Sequence, residues 1–148
     1  MTSAPRTTSS TSEAMPAVDG RIQMAALWAA TMFIFVFVDV FALYREDFRA
    51  SIESGTVATF DIGQPFLIGI TLYAIIPSLM VYLAVSLPRR ANRIVNIVVA
   101  SVFALTIVGS AIGETWIYYL IASVVELALL GLVIRRAATW RALASATS

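Results

Sequence analysis

Four long apolar runs dominate the chain, at Ile22–Leu43, Pro65–Leu87, Ile94–Ile112 and Trp116–Ile134. Each holds 19 to 23 residues, and a helix needs about 20 to cross roughly 30 Å of hydrocarbon. Within lipid every backbone N–H and C=O must be satisfied by the protein itself, which leaves helices and closed barrels. The alternating strand patterns of a barrel are absent. The expected fold is therefore an all-α membrane protein, a four-transmembrane-helix antiparallel bundle. Only 13% of residues are charged, against about 25% in soluble domains.

The flanks divide the chain. Residues 1–20 are rich in Ser, Thr, Ala and Pro and read as a disordered cytoplasmic tail that cannot bury a core. They do not have the layout of a secretory signal, because no short apolar segment with a cleavage site precedes the first run. Residues 21–137 form the expected transmembrane domain, with helices near 22–43, 65–87, 94–112 and 116–134, and 138–148 a short cytoplasmic tail. The connector 44–64 is the longest. Glu46–Gly55 within it fits a short amphipathic helix, with Phe48 and Ile52 on one face and Gly55 as the cap; an irregular solvated loop fits as well. Gly109 and Gly113 have the small-xxx-small spacing that lets helices approach closely.

Orientation follows from arginine. Arg6, Arg21, Arg89, Arg90, Arg93, Arg135, Arg136 and Arg141 flank one side of the expected spans, and Arg45 and Arg49 the other. The positive-inside rule then puts both termini in the cytoplasm, in a cell (inner) membrane. Trp28, Trp116, Tyr118, Tyr119, Tyr82 and Tyr44 fall mostly near span ends, as interfacial aromatics do. Every basic residue is Arg and none is Lys, which with the abundant Ala we read as GC-rich bacterial codon usage.

Missing residues narrow the chemistry. With no Cys and no His, disulfides, thiol redox chemistry, the usual zinc sites, His-ligated haem and Ser–His or Cys–His nucleophiles are excluded. No metal and no cofactor is expected. A formal net charge of +1 gives nucleic acid no basic surface to bind. The bilayer is the partner the sequence requires, and a second copy or another membrane protein is compatible with it.

Ionisable groups inside spans are costly and usually face the bundle interior. Glu126 is the sharpest case, about ten residues or roughly 15 Å from the outer end of its helix. Tyr119, Ala122, Ser123 and Glu126 share a face there, and Asp39 shares one with Trp28, Met32 and Phe35. Asn96, Ala100, Phe103, Ile107, Ser110 and Glu114 line the third helix. Gln64, Thr71, Ile75, Ser78 and Tyr82 line the second, where Pro77 withholds an N–H from the Tyr73 carbonyl. Taken as a candidate ligand site, Asp39, Gln64, Glu114, Tyr118, Tyr119 and Glu126 form an outward-facing pocket, with Glu126 proton-linked. The competing reading has these groups satisfy one another and fix helix register. At the cytoplasmic end, Arg89, Arg90, Asn92, Arg93 and Asn96 form a polar cluster able to hold anionic lipid headgroups. The favoured reading of this cluster is a topology signal with Asn92 as a helix N-cap.

The segments Val38-Asp39-Val40, Gln64-Pro65-Phe66-Leu67 and Arg90-Ala91-Asn92-Arg93-Ile94-Val95-Asn96-Ile97 carry a family resemblance, completed by Tyr118-Tyr119 and Val125-Glu126-Leu127. Over Leu27 to Trp140 the chain resembles an uncharacterised family of small four-helix bacterial integral membrane proteins, a domain of unknown function. Such relatives often have an Asp-Pro step after the first helix, where this chain has Arg45-Glu46-Asp47. The resemblance implies the four-helix fold and singles out Asp39, Asn92, Arg93, Asn96, Tyr118 and Glu126, without an activity. Three functional readings follow. The first is a bundle that binds or transports a small polar or amphiphilic ligand at its carboxylates and tyrosines. The second is a structural or accessory subunit of a membrane complex. The third, a lipid- or quinone-modifying enzyme, has few catalytic groups to draw on, so no catalytic residue is assigned.

Overall fold

The structure is a computed structural model that describes residues 18–57 and 59–139. Helices α1 (Gly20–Ala42), α3 (Gln64–Ser86), α4 (Arg89–Ala111) and α5 (Ile117–Thr139) are each long and apolar enough to cross a membrane. Between α1 and α3 lie a short helix α2 (Glu46–Glu53) and an antiparallel hairpin, β1 (Thr56–Val57) and β2 (Phe60–Asp61). The expected tail at 1–20 falls mostly outside the described residues, as do Arg6, Arg141 and positions 140–148.

Each boundary has a local cause. Asp19 caps α1, its side chain accepting from the Arg21 N–H at 2.8 Å, which satisfies one of the orphan donors at a helix start. Pro65 occupies the first turn of α3, where a missing N–H costs nothing. Gly55 and Gly113 end their segments with φ of 81° and 83°, the left-handed region that a side chain disfavours. The α2 helix occupies the stretch expected for it, with Phe48 half-buried. The hairpin was not expected, because its strands are only two residues long and fall below the length at which periodicity is readable.

Two ends of the spans differ from the apolar runs. The third helix starts at Arg89, more than a turn before Ile94, because Pro88 suits the position before a helix and Arg side chains can reach into water from the first turn. Asn92 is therefore not an N-cap. It is fully buried one turn inside α4, and its amide donates to the Ala84 carbonyl at 2.6 Å. The last helix runs on through Arg135 and Arg136 to Thr139, taking in the first residues of the expected tail.

Packing is most extensive between α4 and α5, followed by α1 with α3 and α1 with α5, while α3 and α4 touch sparsely. One buried relay ties three helices together. Trp28 of α1 donates through Nε1 to Asn96 Oδ1 at 2.7 Å, and the Asn96 amide donates to the Asn92 side chain and carbonyl. Asn92 completes the path to α3. Phe103 sits beside the relay, edge-on to Trp28 (centroids 6.4 Å apart) and stacked on Phe35 and Tyr73 (6.0 and 4.5 Å). Trp28 is thus a wholly buried core residue and not an interfacial aromatic; the partner for its N–H, which the bilayer core would lack, is supplied by Asn96.

The polar line expected along the second helix lies on its exposed side, with Ser78 reaching the Met32 sulfur of α1 at 4.0 Å. Gln64, Thr71, Ile75, Ser78 and Tyr82 are all exposed, and Pro77, Met80 and Ala84 are the buried positions of α3. Thr71 and Ser78 instead return their hydroxyls to the carbonyls of Leu67 and Ala74, so they meet lipid without an orphan donor. A Cβ at Gly109 would meet nothing within 4 Å, and Gly113 lies outside α4, so the glycine spacing seats no helix within the chain.

Candidate functional site

Asp39, Tyr119 and Glu126 line one cavity of about 300 Å³, to which all four long helices contribute. Its walls are Met32, Phe35, Val36 and Val38 from α1, Ile70, Tyr73 and Ala74 from α3, and Thr106, Ile107 and Ser110 from α4. The hydroxyls are organised in pairs. Tyr73 and Thr106 share a hydrogen bond of 2.7 Å across the α3–α4 gap, and Tyr119 donates to Ser110 at 2.8 Å. Thr106 and Ser110 in turn bond to the Phe103 and Ile107 carbonyls, a geometry that fixes both acceptors.

Glu126 stands apart from this order. It is 4% exposed, and its Oε1 is sealed from solvent with no hydrogen-bond partner among the described residues. Buried polar atoms in folded proteins are nearly always satisfied, so an orphan of this kind calls for a specific reason. Asp39, which is exposed where Glu126 is buried, supplies a second carboxyl. Among the described residues no arginine lines the cavity, which leaves two acids facing aromatic rings and hydroxyls.

Three expected members of the pocket lie elsewhere. Glu114 is bonded to Arg45 at 2.9 Å and accepts from the Thr115 and Trp116 N–H groups at 2.8 and 3.1 Å. It caps the turn into α5 and locks the α4–α5 connector to the end of α1. Tyr118 packs edge-on between Phe41 and Trp116 (6.4 and 6.2 Å), and its hydroxyl is buried without a partner among the described residues. Gln64 is exposed in the first turn of α3. Sequence spacing placed these residues at the correct end, but Glu114 is drawn off by Arg45, whose guanidinium also pairs with Asp47 at 2.6 Å and lies 4.8 Å from the Trp116 ring centroid. Conversely Tyr73, Thr106 and Ser110 join the cavity. Their signals were an aromatic hydroxyl one turn before Pro77, a hydroxyl at Thr106 near the depth of Glu126, and Ser110 on the expected inner line of the third helix.

The Arg45 pair has a pH signature. Partial burial raises the Glu114 carboxyl, but hydrogen bonds from Arg45 and the two backbone N–H groups outweigh it and hold the group below its ordinary 4.5. Asp47 is held low chiefly by its hydrogen bond from Arg45. A depressed folded value means that Glu114 contributes its full stabilisation above pH 4.5, and the contribution is lost as pH falls through the lower folded value. Thermal melts in detergent should show stability dropping below that pH, with Glu114→Gln flattening the drop. Arg45→Ala should cost about 1–2 kcal/mol near neutral pH.

At the opposite end Asn92 and Asn96 are fully buried and belong to the relay, out of reach of a headgroup. Arg89, Arg90 and Arg93 remain exposed on the first turns of α4. Arg21 bonds to the Val85 carbonyl at 3.1 Å and Arg136 to Gln23, so this end is stitched by long cationic side chains. Among the described residues no group of acids could hold a metal ion.

Four apolar helices of spanning length around a carboxylate-bearing cavity define a multi-pass membrane protein. The chain belongs to DUF6326, a family of unknown function, whose model matches residues 18–147. No curated protein and no solved structure matches it.

Proposed function

We propose that the protein is an antiparallel four-helix bundle of the bacterial inner membrane, with both termini cytoplasmic, that binds a small polar or amphiphilic ligand in the cavity between its helices. The observation that carries this reading is the sealed, unpartnered carboxyl oxygen of Glu126. A group with that desolvation cost is retained where something other than stability requires it. The orientation rests on the arginines: Arg21, Arg89, Arg90, Arg93, Arg135 and Arg136 belong to the end opposite Arg45 and Arg49. With that orientation the cavity, nearer the Arg45 end, opens to the outside, and Glu126 is the group through which proton and ligand binding would be linked.

The absence of native cysteine makes the test direct. Ser110→Cys places a thiol on the cavity wall, and Leu105→Cys, on a residue 72% exposed on the outer face, places one in lipid. In intact membranes a small water-soluble thiosulfonate should modify Cys at 110 and leave Cys at 105 unreacted. An inert thiol at 110 would remove the water-accessible cavity from the account.

A further inference from the structure

The cavity continues into a groove between α3 and α4. Ile70, Tyr73 and Thr106 line both spaces, and Phe66, Gly69 and Pro65 extend the groove along α3. Phe60 and Asp61 of β2 form its roof, with Phe60 stacked on Phe66 at 6.2 Å. The groove follows the sparsely packed α3–α4 seam, and the Tyr73–Thr106 hydrogen bond and the Tyr73–Phe103 stack span that seam beside it. A largely apolar chamber bearing two carboxyls thus adjoins, at Tyr73 and Thr106, a mainly apolar groove with Asp61 at its roof.

The chemistry of the chamber selects its occupant. Carboxyls at Asp39 and Glu126 with no facing arginine favour a cation. The Phe35, Tyr73 and Tyr119 rings offer the π-faces that attract a weakly hydrated ammonium. Inorganic cations want a shell of oxygen ligands, whereas here the Tyr73, Thr106, Ser110 and Tyr119 hydroxyls are engaged with one another and with backbone carbonyls and the remaining walls are largely apolar. We propose that the ligand is a single-chain cationic amphiphile, with its ammonium group between Asp39 and Glu126, its alkyl chain in the α3–α4 groove, and entry from the bilayer by opening of the Tyr73–Thr106 bond. This inference rests on the cavity reading above and adds the charge, the tail and the route.

Gly69 provides a clean probe. It lines the groove but not the cavity, and a Cβ there meets nothing within 4 Å, so a side chain can leave the backbone at this position and Gly69→Phe is the variant chosen to fill the channel. Equilibrium binding of labelled tetramethylammonium and dodecyltrimethylammonium would be measured on the full chain in dodecyl maltoside micelles. Micelle partitioning is the same for both proteins, so their comparison isolates the groove. Wild type should bind the dodecyl probe about tenfold tighter than Gly69→Phe, since a filled groove denies the chain its close packing there while micelle partitioning is unchanged. Tetramethylammonium should bind both equally. Glu126→Gln should weaken both probes, and dodecyl sulfate and dodecylphosphocholine should not compete. Gly69→Leu replaces the Phe variant if its melting temperature falls. Equal dodecyl affinity in wild type and variant would overturn the groove and leave the cavity. Competition by dodecylphosphocholine would overturn the choice of a cation in favour of a zwitterionic lipid. Absence of binding by either probe would overturn the inference; a reactive thiol at position 110 would still uphold the cavity, and an inert one would end both.

Discussion

Trp28→Ala should be the most damaging single substitution in the helix core, lowering stability by about 3–5 kcal/mol in detergent unfolding. The indole is wholly buried against α4, and its loss leaves a hole beside Phe103 and removes the donor to Asn96. Lipid tails are as apolar as the core, so helix association in a membrane depends on close packing and interhelical hydrogen bonds more than on the hydrophobic effect. Trp28 supplies both. Trp28→Phe separates them, because it retains most of the ring contact and costs only the hydrogen bond, about 1–2 kcal/mol. A loss in Trp28→Ala no larger than in Trp28→Phe would show that packing around Phe103 contributes little.

The relay also shows how far the sequence could be read. Four spans were legible because spanning length and apolarity are properties of a run and need no partner. The inner line of α4, from Asn96 through Phe103 to Ser110, was legible for the same reason: polar and apolar positions repeat at the helical period. What Trp28 and Asn92 do was not legible, since each was assigned by its distance from a span end. Trp28 resembled an interfacial aromatic and Asn92 a cap until α4 was seen to begin at Arg89 and bring Asn96 opposite the indole. The second helix misled for a different cause. Thr71 and Ser78 satisfy their hydroxyls within their own helix, so a polar line on a spanning helix need not face inward. Glu114 and Asp39 had equal claims on the pocket by depth alone. Only the pairing with Arg45 separates a structural carboxyl from one left facing a cavity.

Glu126 carries the second large effect. Replacing a buried polar group that lacks a partner by an apolar one of similar size removes a desolvation cost with no bond lost. Glu126→Leu should therefore hold or raise stability, by about 1–3 kcal/mol. If the carboxyl served helix register, the same change would destabilise. Glu126→Gln should be near neutral for stability and severe for ligand binding, the pattern of a residue kept for function at the expense of the fold. The two carboxyls also set the sign of the cavity's field. At an effective dielectric constant of about 20, a charge some 8 Å away contributes roughly 2 kcal/mol, more than a tenfold preference for cations over anions.

That preference is the most direct measurement of the account. In a Ser110→Cys protein, the rates of modification by cationic and anionic thiosulfonates of equal size can be compared with Asp39 and Glu126 intact and with both replaced by their amides. The account predicts at least a tenfold faster cationic reaction in the first protein and a ratio near one in the second. Equal rates in both proteins, or an inert thiol in the first, would contradict it.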